Sequence, residues 1–294
     1  HQWPQLVHEL AEHPHRVAHN APFDCQHLAR FTGKPVADVL KGVTDTFILA
    51  HLVDPRDARD GGVGHHLKDL AAHYVDENAP HGDKLLKARF KELGYKQNEA
   101  WALIDIEDPT YVLYGGIDCI ITARLVDELT KLVARHGLGH LVKFDHQVQT
   151  ITSTMRERGI AIDLEYAQGL LKELERECEQ AERMASALGC ENVNSPTQVA
   201  DALKVRGIEL TEKTDSGAPK VDRIVLESLN DELATQVLKA KGARKAVSSW
   251  VAPMIDHGQR DGRVHCNIRS LKAKTGRMSI SEPPLQQLPS NDWR

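Results

Sequence analysis

The sequence lacks the features that mark several large classes of protein. No apolar run is long enough to cross a bilayer, and the polar first ten residues do not resemble a secretory signal. Neither a Walker-type glycine loop nor a GxGxxG turn is present, which excludes those two kinds of nucleotide site. With 41% hydrophobic residues, the composition is that of an ordinary globular protein, and no membrane partner is expected.

Paired cysteines are also missing. The five cysteines are scattered and form no CxxC pair, and the sixteen histidines lack ligand spacing with them. A zinc site is therefore not expected. Reduced thiols in a cytoplasmic protein are the simplest interpretation.

The formal net charge of −5 argues against a nucleic-acid partner at first sight, but the charge is unevenly distributed. Residues 239–277, called the basic segment below, hold ten basic and two acidic residues, a net charge of +8 that leaves −13 for the rest. A basic segment on an acidic body is what binding to a phosphate backbone requires. Taken alone, the segment is equally compatible with a solvated charged face.

Sequence patterns divide the chain into three regions, 1–139, 140–257 and 258–294, and predict a predominantly helical α+β fold. In the first region, residues 16–20 read as a short buried strand that leads into a helix over 21–31. Further helices are predicted at 43–52, 66–74, 83–93 and 111–132, with a loop over 54–64. Asp108-Pro109 provides a cap and a first-turn proline for the last of these helices.

The second region is predicted to be nearly all helical. Apolar residues at three- and four-residue steps predict a long helix over 164–188, with Asp163 as its N-cap and Gly189 after its end. Asn194-Ser195-Pro196 starts another helix, residues 221–241 give two short ones, and 243–254 give one more. In the third region, Asp261-Gly262 predicts a hairpin-type turn, and residues 264–268 alternate like a strand.

Three motifs follow one another closely in the third region. They are Gly262-Arg263-Val264-His265, Thr275-Gly276-Arg277-Met278-Ser279, and the turn from Glu282 to Pro289 that contains Leu285-Gln286-Gln287. In this order and at this spacing they resemble the entry to the palm domain of family A (polymerase I-like) DNA polymerases. Gln287 departs from the asparagine common in that family, but an amide is retained.

The resemblance implies a role for these residues. Arg277 is expected to contact the primer-terminal base pair in the minor groove, with Gln286 beside the template and Gln287 as a second amide at the DNA. Minor-groove acceptors occupy nearly the same place in every correct base pair, so an arginine there can test geometry without reading sequence. The alternative is an ordinary surface loop.

The second region then resembles the thumb of the same family. Asn194-Ser195-Pro196-Thr197-Gln198 matches its helix start, and Lys213-Thr214-Asp215-Ser216-Gly217 matches its loop. Lys241 and Lys245 correspond to a basic pair that faces the duplex, and their spacing puts them on one helical face. A lysine lacks the bidentate fork of arginine, so we expect contacts to single phosphates.

The first region resembles the 3′→5′ exonuclease domain of the family, which has an RNase H-like fold. Asn20-Ala21-Pro22-Phe23-Asp24 and Tyr114-Gly115-Gly116-Ile117-Asp118 match two of its motifs. The resemblance makes Asp24 and Asp118 catalytic carboxylates that bind metal, and Tyr114 the residue that positions water. Two-metal hydrolysis with Mg²⁺ needs further carboxylates. The family's Asp-x-Glu motif is not found before Asn20, so the metal sites are expected to be incomplete.

These matches predict an internal piece of a DNA polymerase: the end of the exonuclease domain, the thumb and the start of the palm. The parent protein would bind primer-template DNA and deoxynucleoside triphosphates as a monomer. The piece itself is expected to bind DNA weakly and to catalyse neither reaction. Two other interpretations stay open, an RNase D-like exonuclease with a helical appendage and a non-catalytic DNA-binding module. A polymerase whose exonuclease has decayed is a further possibility.

Overall fold

A computed structural model describes residues 3–214 and 217–288. Contacts divide the chain into two compact units. Unit 1 comprises His1–Arg158 and Ile268–Ser279, and unit 2 comprises Gly159–Asn267 and Ile280–Arg294. Within the described residues the fold is predominantly helical with a few short strands, which confirms the predicted fold class. No helix in the described part of the chain is both long enough and apolar enough to span a membrane.

Unit 1 contains most of the short elements. Its helices are α1 (Trp3–Glu12), α2 (Ala21–Thr32), α3 (Val36–Leu40), α4 (Thr46–Val53), α5 (Leu67–Tyr74), α6 (His81–Glu92), α7 (Ala100–Leu103), α8 (Pro109–Arg135) and α9 (Gly139–Arg158). Strands β1 (Arg16–Ala18) and β2 (Val43–Asp45) pair in parallel, with Arg16 opposite Val43. The long helix α8 organises the main core of this unit, because Leu125, Leu129 and Val133 are buried against residues of α4 and α5.

One predicted helix begins later than expected. The sequence predicts a helix over 43–52, but Val43, Thr44 and Asp45 form β2 and the helix starts at Thr46. The β-branched Val43 and Thr44 suit a strand that pairs with β1. The side chain of Asp45 then accepts a hydrogen bond from the Phe47 backbone N–H at 2.9 Å and caps α4.

Unit 2 is built on two long helices. Its elements are β3 (Ile160–Ala161), α10 (Leu164–Ala187), α11 (Pro196–Val205), α12 (Arg223–Ser228), α13 (Glu232–Ala246), α14 (Ala252–Asp261) and β4 (Arg263–Val264). Helices α10 and α13 pack along each other and share two apolar clusters. The predicted caps are confirmed: Asp163 accepts from the Tyr166 N–H at 2.9 Å, and Ser195 caps α11.

Two predictions in this unit are wrong. The sequence predicts separate helices over 221–241 and 243–254, but α13 continues through Gly242 to Ala246. A π-helical turn over Val247–Val251 then leads into α14. Burial of Ala240, Ala243 and Ala246 stabilises the continuous helix more than one glycine weakens it. Asp261-Gly262 is not a hairpin turn. Gly262, at φ 77°, ends α14, and β4 pairs with the distant β3.

The alternating stretch predicted over 264–268 is divided between two strands. Its first residue belongs to β4, and its last two begin β5 (Asn267–Arg269). A further short strand, β6, covers Ser279–Ser281. Helices α1, α3 and α7 were not predicted. The last two of these are only five and four residues long, too short to show a helical period.

Candidate functional site

Asp24 lies in the first turn of α2, which begins directly after β1. Asn20, at φ 63° and ψ 52°, turns the chain into the helix in the left-handed conformation that asparagine tolerates. The Asp24 residue is exposed, while neighbouring atoms shield its carboxyl group from part of the solvent. This desolvation raises the pKa of Asp24, and the charge of Asp45 adds to the increase.

Asp45, which was not singled out from the sequence, organises the start of α2. Its carboxylate is fully buried and accepts hydrogen bonds from the backbone N–H groups of Asn20 and Ala21, each at 2.8 Å. It also accepts from the Phe47 N–H and from Gln149 Nε2, the latter at 2.6 Å. Four donors occupy its oxygens, so Asp45 holds the Asp24 motif in position and is not an open metal ligand. The predicted helix over 43–52 contained Asp45, so its role as the cap of α4 became visible only once the helix was seen to start at Thr46.

Tyr114 and Asp118 lie one turn apart on α8, as their spacing predicts. Lys68 of α5 reaches both of them. Its ammonium group forms an ion pair with the Asp118 carboxylate and lies 4.8 Å from the centre of the Tyr114 ring. Burial lowers the pKa of Lys68, with the charge of Asp83 acting in the opposite direction. Burial also raises the pKa of the Tyr114 hydroxyl.

The described residues do not make a magnesium site. Among residues 3–214 and 217–288, no three histidine, cysteine or carboxylate side chains come together as a group that could hold a metal ion. The Asp118 carboxylate is already paired with Lys68. Asp24 and Asp118 therefore do not form a two-metal centre by themselves.

The two lysines of the predicted thumb share helix α13 but differ in exposure. Lys245 is exposed, and its Nζ lies 5.7 Å from the centre of the Trp250 ring. Lys241 is half-buried, and this burial lowers its pKa. Lys245 is the more accessible of the two for a phosphate contact.

Arg277 is exposed and follows a tight turn. Gly276 makes that turn at φ 71°, and its N–H donates to the Ala273 carbonyl at 2.9 Å. Gln286 and Gln287 are exposed in a short 3-10 turn, where Gln286 Oε1 accepts from the Ile280 N–H at 3.0 Å. Pro289, the last residue of the motif, and Asp215 and Ser216 of the thumb loop motif lie outside the described residues.

Acidic partners neutralise part of the basic segment. Arg244 forms an ion pair with Glu182 inside unit 2, and Lys274 pairs with Asp60 at 2.7 Å inside unit 1. A separate hydrogen bond, of 3.2 Å, joins the buried His51 to the Ala273 carbonyl of the segment. The net charge of the segment therefore overstates the charge that is available to a partner.

Comparison with known proteins agrees with this arrangement. A family model described as 3′-5′ exonuclease matches residues 1–134, and one described as DNA polymerase family A matches residues 164–293. An exonuclease domain followed by a polymerase domain defines the class of nucleic-acid polymerases that carry a 3′-5′ exonuclease. Within that class, the chain belongs to the family A DNA polymerases.

Two phage proteins are among its relatives. The DNA polymerase of Mycobacterium phage L5 is 36% identical over 94% of this chain and 47% of its own length. The DNA polymerase of Mycobacterium phage D29 is 34% identical over 98% of this chain and 49% of its own length. The chain thus spans about half the length of these relatives.

A solved structure has the same fold. The polymerase domain of Pol1 from M. smegmatis, in complex with DNA primer-template and dNTP, matches with a TM-score of 0.71. It is 24% identical and is covered over 45% of its length, against 98% of this chain. The resemblance to family A is confirmed, while the roles of Asp24, Tyr114, Asp118, Lys241, Lys245, Arg277, Gln286 and Gln287 stay predictions.

Proposed function

We propose that the whole protein is a DNA polymerase that extends a primer on a template with deoxynucleoside triphosphates, in DNA replication or repair. The observation that carries this proposal is the order of the two matched families, exonuclease and then polymerase, along one chain. Both phage DNA polymerases match over almost the whole chain, at 36% and 34% identity. We further propose that it acts as a cytoplasmic monomer.

This chain's own contribution is binding of primer-template duplex. Lys245 and Lys241 on α13 are proposed to contact backbone phosphates, and exposed Arg277 is proposed to enter the minor groove at the primer end. Gln286 and Gln287 are proposed to lie beside the template. The exposure of Arg277, Gln286 and Gln287 supports this assignment, because each of these three side chains is accessible to a partner.

The chain alone is proposed to catalyse neither polymerisation nor hydrolysis. Mg²⁺ is proposed for the whole protein only, since the described residues do not assemble a site for it. We expect no incorporation of a labelled deoxynucleotide by the 294-residue chain, and incorporation by the full-length protein. Incorporation by the chain alone would refute this division.

A second candidate is supported by the ion pair between Lys68 and Asp118. A carboxylate paired with a lysine is a poorer metal ligand, and the second candidate is an exonuclease domain that the full-length protein retains without activity. The two candidates are separated by measuring the degradation of 3′-labelled single-stranded DNA by full-length protein and its Asp118→Ala variant. An active exonuclease loses most of its rate in the variant. An inactive one shows no metal-dependent degradation in either protein.

A further inference from the structure

Aromatic residues are scarce in this chain, yet five of them lie together in unit 1. The sequence contains four tryptophans, five tyrosines and five phenylalanines. One group, called the aromatic cluster below, gathers Phe90, Tyr95, Trp101, Tyr111 and Tyr114. It therefore holds about a third of the aromatic side chains, and it contains the tyrosine of the exonuclease motif.

Trp101 is the centre of this cluster. Its ring lies 5.3 Å from that of Phe90, 5.8 Å from that of Tyr114 and 6.3 Å from that of Tyr111, measured between centroids. These tilted and edge-on contacts hold the indole in place. Trp101 is nevertheless 50% exposed, so about half of a large aromatic surface faces solvent on a fixed support.

Lysines border the aromatic cluster. A surface cleft is lined by Lys87, Phe90, Lys91, Gly94, Tyr95 and Gln97. Lys68 lies over the Tyr114 ring. Asp83 pairs with Lys87 at 2.7 Å and reduces its charge, while Lys91 is exposed. The cleft thus combines aromatic rings with positive charge.

This combination determines the ligand. Exposed base faces stack on aromatic side chains, and lysines contact the phosphates between them. A duplex hides its base faces within the stack, so it has few free base faces that could stack on the indole ring. We infer that the aromatic cluster and its lysines bind single-stranded DNA, with a base stacked on Trp101 and the backbone along Lys87 and Lys91.

The inference rests on the proposed function in one respect, the choice of DNA as the partner of unit 1. It adds a binding surface that leads to Tyr114 and is separate from the duplex contacts proposed for α13. The strand would approach the exonuclease motif along the cluster. Trp101 is a positioning residue in this account, not a catalytic one.

The test uses the 294-residue chain, a fluorescein-labelled oligo-dT of about eight nucleotides and a labelled blunt-ended duplex. Affinity is measured by fluorescence anisotropy for the chain, Trp101→Ala and Trp101→Phe. We expect Trp101→Ala to weaken oligo-dT binding by about fivefold or more, because stacking of one base is lost. Trp101→Phe should retain most of the affinity, and binding of the duplex should change less than about twofold in either variant.

Trp3→Ala is the matched control, because Trp3 of α1 is 69% exposed and is not part of the cluster. It should bind oligo-dT like the unchanged chain. Lys87→Gln with Lys91→Gln should reduce the salt dependence of oligo-dT binding by about 1.4 in log–log slope, for two lost phosphate contacts. Thermal melting checks that each variant is folded. If Trp101→Ala does not fold, Trp101→Phe tests the contribution of stacking.

Three results would overturn the inference: no binding of oligo-dT by the unchanged chain, equal affinity in Trp101→Ala, or an equal loss in Trp3→Ala. The same experiment separates this inference from the proposed duplex binding. Loss of oligo-dT binding in Trp101→Ala with no duplex binding by any variant supports the single-strand surface alone. Duplex binding that depends on Lys245, without an effect of Trp101, supports the duplex contacts alone.

Discussion

The two units use charged side chains in opposite ways. In unit 1 the important carboxylates are enclosed: four donors surround Asp45, and Lys68 pairs with Asp118. In unit 2 the predicted DNA contact Lys245 is exposed on one helix. A site for chemistry requires side chains from several elements to converge, whereas a surface for a phosphate backbone needs only charge on one face. The predictions below test this contrast.

The largest effect is expected from Asp45→Ala. The substitution leaves several buried N–H donors without an acceptor, and we expect the free energy of unfolding to fall by about 3 kcal/mol. Urea unfolding of the 294-residue chain measures it. Asp163→Ala is the control in unit 2, where one exposed helix cap is lost at a cost of about 1 kcal/mol. Equal losses in the two variants would show that Asp45 is an ordinary cap.

Lys68→Met should have a smaller effect on stability. It leaves the partly buried Asp118 without its counter-ion, and we expect a loss of about 1–2 kcal/mol, between the values for surface and buried pairs. Lys131→Met is the matched control, because its pair with Glu128 is exposed on α8. That variant should change the unfolding free energy by less than about 0.5 kcal/mol. An unchanged free energy of unfolding in Lys68→Met would show that the pair of Lys68 with Asp118 does not stabilise unit 1.

The effect of pH on unit 1 is expected to be smaller still. Burial lowers the pKa values of His19 and His51 below the ordinary value of 6.5. Below that pH the unfolded chain binds protons more readily than the folded one, so stability falls as the pH falls through 6.5 towards the lowered values. Urea midpoints at several pH values measure this loss, and His51→Gln should reduce it. A pH dependence that is unchanged in His51→Gln would assign the loss to other groups.

Local signals predicted much of the fold. Caps at Asp108, Asp163 and Ser195 and the apolar period of α10 identified helices correctly, because these signals lie within a few residues. The predicted start of α4 was wrong, because residues 43–45 pair with β1 instead. That pairing joins Arg16 to Val43, which lie 27 residues apart in the sequence.

The candidate site shows the same limit. Tyr114 and Asp118 could be predicted as neighbours, since they are four residues apart on one helix. Lys68 could not, because its contact with them depends on how α5 packs against α8. The half-burial of Lys241 likewise follows from packing of α13, not from its spacing to Lys245.

The contacts proposed for α13 are the central claim, and their salt dependence tests them most directly. Affinity for primer-template duplex is measured at several salt concentrations for the chain, Lys245→Gln and Lys239→Gln. Lys239 is exposed on the same helix but on a different face, so it serves as the matched control. We expect the log–log slope to fall by about 0.9 in Lys245→Gln and to stay unchanged in Lys239→Gln. Equal slopes in all three proteins would contradict the assignment of this helix face to DNA.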